Sequence, residues 1–200
     1  MTTKTPSMAG IFPPIPTPFD ASGELELKAL AENLAKWNRY PLAGYVVLGT
    51  NGEFPFLSDQ EKLTFLEAAR KNIPAGKLFL AGTGCESAHA TIALTRQVAV
   101  LGADVAIVIT PSYYKSKMDA AGLTDYYFKV ADASPIPVSM YNMPGNTNVD
   151  MSAELIVKLS QHPNIVAVKD SGATVTIGDL PRVDADGVKL TQVLQNLLAN

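Results

Sequence analysis

An α/β fold with parallel strands, of the (β/α)8 barrel type, is what this 200-residue chain predicts. Three observations predict it. Short apolar runs alternate with helical patterns, so each crossover between strands passes through a helix. No stretch between them reads as a linker or a low-complexity tract. Polar residues also follow strand after strand: Thr50 and Asn51, Thr83, Tyr113 and Tyr114, Tyr141, and Lys169. A doubly wound sheet would satisfy the first two observations, but it should carry a Gly-rich phosphate loop behind its first strand. The nearest candidate, Gly82-Thr83-Gly84, follows the third, with Ser87 where a further glycine belongs and Asp104 before a strand rather than at its end. In a barrel the polar strand ends converge on one mouth, where such folds keep their active sites.

Each element has its own warrant. Gly10 to Asp20, rich in proline, reads as a short first strand and an extended turn, because proline is tolerated at strand starts and edges. Leu27, Leu30, Ala31, Leu34 and Trp37 recur at helical spacing, and Pro41 marks the break after them. Gly44 to Leu48 is a second, buried strand, ending in the turn Gly49-Thr50-Asn51-Gly52-Glu53. Ser58 with Glu61 forms a capping box for the next helix. Leu78 to Ala81 is the third strand, Ala88 to Leu101 a helix, and Val105 to Ile109 the fourth strand, before Thr110-Pro111-Ser112-Tyr113-Tyr114. A helix over Leu123 to Val130 leads to the fifth strand, Val138 to Tyr141, with Asn142 to Asn146 as its loop. Ser152 caps a short helix through Leu159, and Ile165 to Val168 is a sixth strand buried on both faces.

Composition removes several function classes. Sixteen basic against nineteen acidic residues, with no basic stripe, argues against a nucleic-acid partner. One cysteine, Cys85, excludes an internal disulfide and suits a reducing compartment. Cys85 reads as a small buried hydrophobe, and His89 and His162 as solvated, with no ligand cluster for a metal. No apolar run approaches a membrane span, and Met1 to Gly10 carries no targeting pattern. A cytoplasmic protein is the expectation, with the mitochondrial matrix left open.

The chemistry centres on Lys169. A lysine directly behind a buried strand is a poor surface ion but a good amine, since desolvation lowers its pKa and an uncharged amine attacks carbonyls. Tyr141 offers a phenol that can shuttle a proton to and from a carbonyl or hydroxyl oxygen. The Gly49–Gly52 turn offers backbone N–H groups and short polar side chains as a carboxylate cradle. Tyr113 reads equally as barrel packing or substrate contact, and Thr83 as a mouth hydrogen bond or a turn residue; Glu53 reads as a helix cap or local ion pair.

Gly49-Thr50-Asn51-Gly52-Glu53, Thr110 to Tyr114, Tyr141-Asn142-Met143-Pro144 and Val168-Lys169-Asp170-Ser171 resemble, in order and spacing, the signature segments of the N-acetylneuraminate lyase and dihydrodipicolinate synthase superfamily. The likeness runs from about Gly10 to Ser171. It implies a class I, pyruvate-binding aldolase on a (β/α)8 barrel, without metal or cofactor. By the resemblance, Lys169 forms the Schiff base, Tyr141 shuttles the proton, and Thr50 and Asn51 in their Gly49–Gly52 turn hold the pyruvate carboxylate. Thr50 also joins the proton relay. Tyr114 is donated across a tight dimer interface, within a homo-oligomer built as a dimer of dimers. Dihydrodipicolinate synthases carry an arginine where this chain has Asn146, and favour a threonine where it has Asn51. Those departures, with Ala81 to Ser87 and Ser160 to Ile165, make the chain resemble the 4-hydroxy-2-oxoglutarate aldolase branch. That branch releases pyruvate and glyoxylate, with Ser171 and Asn51 on the second carboxylate. Synthase-type condensation of pyruvate with an aldehyde is the alternative.

A full barrel takes about 250 residues. This chain presents six clear strands and the start of a seventh at Val188 to Leu194, so a partial barrel over residues 1–200 is expected, and Gly178 to Asp186 is poor in helical pattern. An inactive fragment that pairs with full-length subunits is the other expectation.

Overall fold

A computed structural model describes residues 6–172. Five strands, β1 (Gly44–Val47), β2 (Leu78–Gly82), β3 (Val105–Ile109), β4 (Val138–Asn142) and β5 (Ile165–Asp170), form one sheet in the order β1-β2-β3-β4-β5. Every neighbouring pair is parallel. That order decides between the two α/β candidates. A doubly wound sheet reverses its strand order at a switch point, whereas here each strand lies beside the next in sequence, as in the wall of a (β/α)8 barrel.

α1 (Leu27–Trp37) precedes β1; the helices between strands are α2 (Asp59–Asn72), α3 (Ala88–Val100), α4 (Ala120–Ala133) and α6 (Ala153–Leu159), with a single turn, α5 (Pro144–Thr147), behind β4. Local chemistry starts most of them. The Ser58 side chain accepts from the Glu61 N–H while Glu61 accepts from the Ser58 N–H, the full capping box expected from sequence. Hydrogen bonds donated to it by the Ser58 hydroxyl and by the Ser58 N–H hold the Glu61 carboxyl below its ordinary range. The Ser87, Asp119 and Ser152 side chains each accept from the N–H three residues on and cap α3, α4 and α6, each cap contributing about 1 kcal/mol.

Period-two alternation sorts the strand side chains into layers. Tyr45, Val47, Phe79 and Ala81 face outward and pack with Leu30, Leu34, Phe65 and Leu66 from α1 and α2. Ala106, Val108, Val138, Met140 and Ile165 do the same against Leu123, Tyr127 and Val130 of α4 and Leu155 and Leu159 of α6. Val46, Leu80, Val105, Ile107 and Tyr141 point inward and form the barrel interior, with Met8 and Phe12 of the leading segment against them.

Three expectations need correction. Residues 10–20 do not make a strand; they run extended beside β1, with a parallel bridge of Pro14 to Val46, an Ile15 N–H to Val46 carbonyl bond of 2.9 Å and a Val46 N–H to Pro13 carbonyl bond of 3.1 Å. Four prolines between Phe12 and Phe19 remove the N–H groups that a ladder requires. The lysine strand is not buried on both faces: in β5 only Ile165 is fully buried and Val168 is 41% exposed, since among the described residues β4 is its one strand neighbour. It also runs past Lys169 to Asp170, so the lysine lies within the ladder. The expected seventh strand and the segment 178–186 lie outside the described residues.

Candidate active site

The strand ends meet at a cavity of about 400 Å³ whose wall includes Gly49, Thr50, Glu86, Thr110, Tyr141 and Asn146. Its floor depends on backbone geometry at the end of β1. Leu48 is buried with φ 58°, a left-handed conformation that costs a non-glycine residue about 1 kcal/mol or more and swings the chain off the strand into the following turn. Gly82 permits it, because a Cβ there would stand 2.0 Å from the Leu48 carbonyl oxygen. The turn Thr50–Gly52 is 3-10 helical; it consumes the N–H groups of Gly52 and Glu53, leaving those of Thr50 and Asn51 outside its own bonds. The Thr17 hydroxyl donates to the Gly52 carbonyl at 2.7 Å and ties the turn to the proline-rich segment.

The Thr50 and Tyr141 hydroxyls share a 2.9 Å hydrogen bond. Tyr141 is 3% exposed, so its phenol is held in place by packing as well as by that bond. Lys169 pairs with Tyr141 across β4 and β5. Its ammonium nitrogen lies 3.6 Å from the centre of the Tyr141 ring and donates to the Ser171 hydroxyl at 3.2 Å.

Lys169 reaches this face through an irregularity. Val138 pairs with Ile165, but Ser139 pairs with Ala167, so Val166 is an extra residue in β5. Alternating regularly from the outward Ile165 would send Lys169 outward too. The bulge re-phases the strand and aims the lysine at Tyr141.

The other sequence candidates divide. Asn146 lies on the exposed cavity rim. Ser171 stands beside Lys169, while Asn51, Gly52, Ser171 and Lys169 are not among the cavity-lining residues. Tyr114 is not in the chain's own site. It is 71% exposed and stacks edge-on with Tyr113, itself 77% exposed, at a centroid distance of 5.0 Å. The packing role considered for Tyr113 is therefore overturned. Thr83 is also no mouth residue: it is fully buried and accepts a 2.9 Å bond from Thr95. Glu53 is exposed, its side chain makes no hydrogen bond or ion pair among the described residues, and its φ of 53° makes it a hinge between two 3-10 turns. His162 is not solvated. Its Nδ1 accepts from the Asn164 N–H at 3.1 Å, so Nε2 carries the proton toward Asp132 at 3.0 Å, and the ring side chain is 12% exposed. Cys85 is partly buried at the cavity wall, and burial pushes its thiol pKa up.

Several wall residues received no role from the sequence, although Thr110 and Glu86 lie in segments that carry the family resemblance. Glu86 accepts from the Ser112 and Tyr113 N–H groups at 3.0 and 2.9 Å and from the Ser112 hydroxyl at 3.3 Å, so one carboxylate ties the β2 and β3 loops together. A carboxylate just ahead of a helix cap looks like a dipole partner in sequence, and nothing in its spacing discloses the second loop. Thr110 is 1% exposed and its hydroxyl has no partner among the described residues, on the cavity wall. Lys62 presents a largely buried ammonium at the same wall, 4.4 Å from the Phe54 ring centre and 3.1 Å from Asp59. Among the described residues no cluster of His, Cys, Asp or Glu could hold a metal, and no helix is long and apolar enough to cross a membrane.

Comparison with known proteins agrees with this geometry. The profile of the Dihydrodipicolinate synthetase family matches residues 7–185. A 4-hydroxy-tetrahydrodipicolinate synthase of Xanthomonas axonopodis pv. citri is 40% identical over 165 residues, covering 82% of this chain and 54% of the relative. A probable mitochondrial 4-hydroxy-2-oxoglutarate aldolase of Emericella nidulans is 36% identical over 169 residues, 82% of this chain and 55% of the relative. Among solved structures, a dihydrodipicolinate synthase of Bacillus anthracis superposes with a TM-score of 0.76 at 31% identity, over 82% of this chain and 56% of its own. A chloride-inhibited dihydrodipicolinate synthase of Acinetobacter baumannii, complexed with pyruvate, gives 0.80 at 30% identity, over 96% and 61%. The chain spans about half the length of the curated relatives it matches. With a profile match over most of its length and a barrel wall of the same architecture, the chain belongs to the dihydrodipicolinate synthetase family.

Proposed function

We propose that this chain carries the catalytic residues of a Schiff-base, pyruvate-dependent carbon–carbon lyase. The observation that supports it most is the contact set of Lys169, Tyr141 and Thr50: an amine against a phenol, with the phenol hydrogen-bonded to a second hydroxyl at 2.9 Å. In the proposed reaction the Lys169 amine, once deprotonated, attacks the keto carbon of a 2-oxo acid. Tyr141 delivers a proton to the carbinolamine oxygen, and water leaves to give an iminium. The iminium accepts the electron pair of the bond between its α carbon and the hydroxyl-bearing carbon, forming an enamine as the substrate hydroxyl loses its proton through Tyr141 and Thr50. An aldehyde departs, the enamine is reprotonated, and hydrolysis returns pyruvate and the free amine.

The remaining assignments follow the same logic. The free N–H groups of the Gly49–Gly52 turn, with Thr50 and Asn51, hold the carboxylate next to the keto group. Ser171 and Asn51 take the distal carboxylate, with Asn146 at the rim. Asn146 supplies no cation where the synthases carry arginine, which favours 4-hydroxy-2-oxoglutarate and glyoxylate over aspartate semialdehyde. The synthase reading has its own support, the 40% identity to a protein of that name. Tyr114, exposed in its own subunit, completes the relay of a neighbouring copy in a dimer of dimers, in a cytoplasmic or matrix setting.

Incubation with pyruvate followed by borohydride reduction tests the reading. Intact mass should rise by one reduced pyruvyl group, the modified peptide should map to Lys169, and Lys169→Ala should abolish the adduct. Folded protein that forms no adduct, or one on another lysine, overturns it. Glyoxylate release from 4-hydroxy-2-oxoglutarate, measured against condensation with aspartate semialdehyde, then separates the two branches.

A further inference from the structure

The residues that immediately follow the reactive pair form a second pair on the opposite face. Asn142 follows Tyr141, Asp170 follows Lys169, and the two are register partners. Asn142 is 2% exposed, and its side chain is fully used. The amide nitrogen donates to Asp170 Oδ1 at 3.1 Å and to Asp150 Oδ1 at 2.8 Å, and the amide oxygen accepts from the Met151 N–H at 3.1 Å. Its backbone carbonyl accepts from the Ser171 N–H at 2.9 Å, while Asp170 Oδ1 also receives the Gly172 N–H at 2.8 Å.

The bulge at Val166 gives this pair a task. If the Val138–Ile165 register continued without the extra residue, Tyr141 would stand opposite Val168, and Lys169 would lie beside Asn142 on the outer face. Apolar packing discriminates weakly between these registers: Val166, Ala167 and Val168 are short aliphatic residues, none of them fully buried. A buried polar side chain discriminates strongly, because in the slipped register it would lose an acceptor it cannot replace with water. We propose that Asn142 and Asp170 are positioning residues that hold β5 in its bulged register, so that Lys169 is presented to Tyr141 on the inner face.

The proposal takes its catalytic consequence from the reading of Lys169 as the Schiff-base amine, and the test separates the two. Asp170 is exposed, so its variants are expected to fold. Asp170→Asn keeps a side-chain oxygen that accepts from Asn142; Asp170→Ala does not. Two readouts are compared in the full chain: deuterium uptake in peptides spanning residues 164–172, and the rate of borohydride-trapped pyruvate adduct. Asp170→Ala should raise uptake at the Ser171 amide and slow trapping on the order of tenfold or more, since small misplacements of a reacting group are that costly. Asp170→Asn should restore both toward wild type. Asn142→Asp, which sets a third carboxylate against Asp150 and Asp170, should be at least as impaired as Asp170→Ala, and it serves as the second variant should Asp170→Ala not fold. Wild-type uptake and trapping in Asp170→Ala would overturn the proposal, as would an Asp170→Asn as impaired as the alanine variant. If wild type itself traps no pyruvate, the Schiff-base reading fails, and uptake alone still judges the clamp.

Discussion

The two tyrosine-bearing regions at the mouth are held in opposite ways. Tyr141 lies on β4, 3% exposed, bonded through its hydroxyl to Thr50 and covered on one ring face by Lys169. Tyr113 and Tyr114 lie on the loop behind β3, both more than two-thirds exposed, touching mainly each other. Packing places Tyr141, whereas the Tyr113–Tyr114 loop is fixed through its backbone by Glu86, and the rings are left free. Two large aromatic rings in water beside a cavity have apolar surface to bury. The contrast is what the proposed assembly requires: one half of the candidate site is preorganised within the chain, and the exposed tyrosine pair is the half proposed to serve a second copy.

Three measurements break or sharpen that contrast. The largest effect is expected at the buried tyrosine. Tyr141→Phe keeps the ring beneath Lys169 but removes the hydroxyl proposed to carry the proton, so turnover should fall by about 10²–10⁴-fold with the thermal midpoint little changed. A loss under threefold would move the proton-transfer role elsewhere. A smaller effect is expected at Glu86. Glu86→Ala strips three acceptor contacts from the exposed loop without emptying any core, so turnover should drop roughly tenfold, in keeping with the cost of imprecise placement. Proteolytic cleavage near Lys115 and Lys117 should accelerate at the same time, and unchanged cleavage would show that Glu86 does not hold the loop. The smallest concerns Cys85 on the cavity wall. Burial raises its thiol pKa, so the folded state retains the proton to higher pH than the unfolded chain does. Alkylation by iodoacetamide should be several-fold slower than for a free thiol at pH 8. The same linkage costs stability as pH rises above the unfolded thiol pKa. Free-thiol reactivity at pH 8 would mean the wall is open to water.

Much of this was legible from residue order. The capping box at Ser58 and Glu61, the cap at Ser152, and the alternation of apolar strands with helical stripes are local rules, and local rules survive folding. What failed was whatever depended on partners distant in sequence. The proline-rich opening looked like a strand until the missing N–H groups were set against the β1 ladder. His162 looked solvated because Asp132 is thirty residues away. Lys169 was singled out by its type and its place near a strand end, yet a straight strand would have turned it away from Tyr141.

By itself, then, the sequence determined the alternation of strands and helices after the first helix, the parallel α/β barrel class and the caps of its helices, because propensity, capping and hydrophobic period are encoded within a few neighbouring positions. Only the tertiary structure decided that one extra residue in β5 turns the lysine inward, and that Asn142 and Asp170 pair beside Tyr141 and Lys169 while Glu86 ties the β2 and β3 loops. Register, bulges and side-chain bonds between loops are properties of paired segments, and their energies exist only once both partners are present.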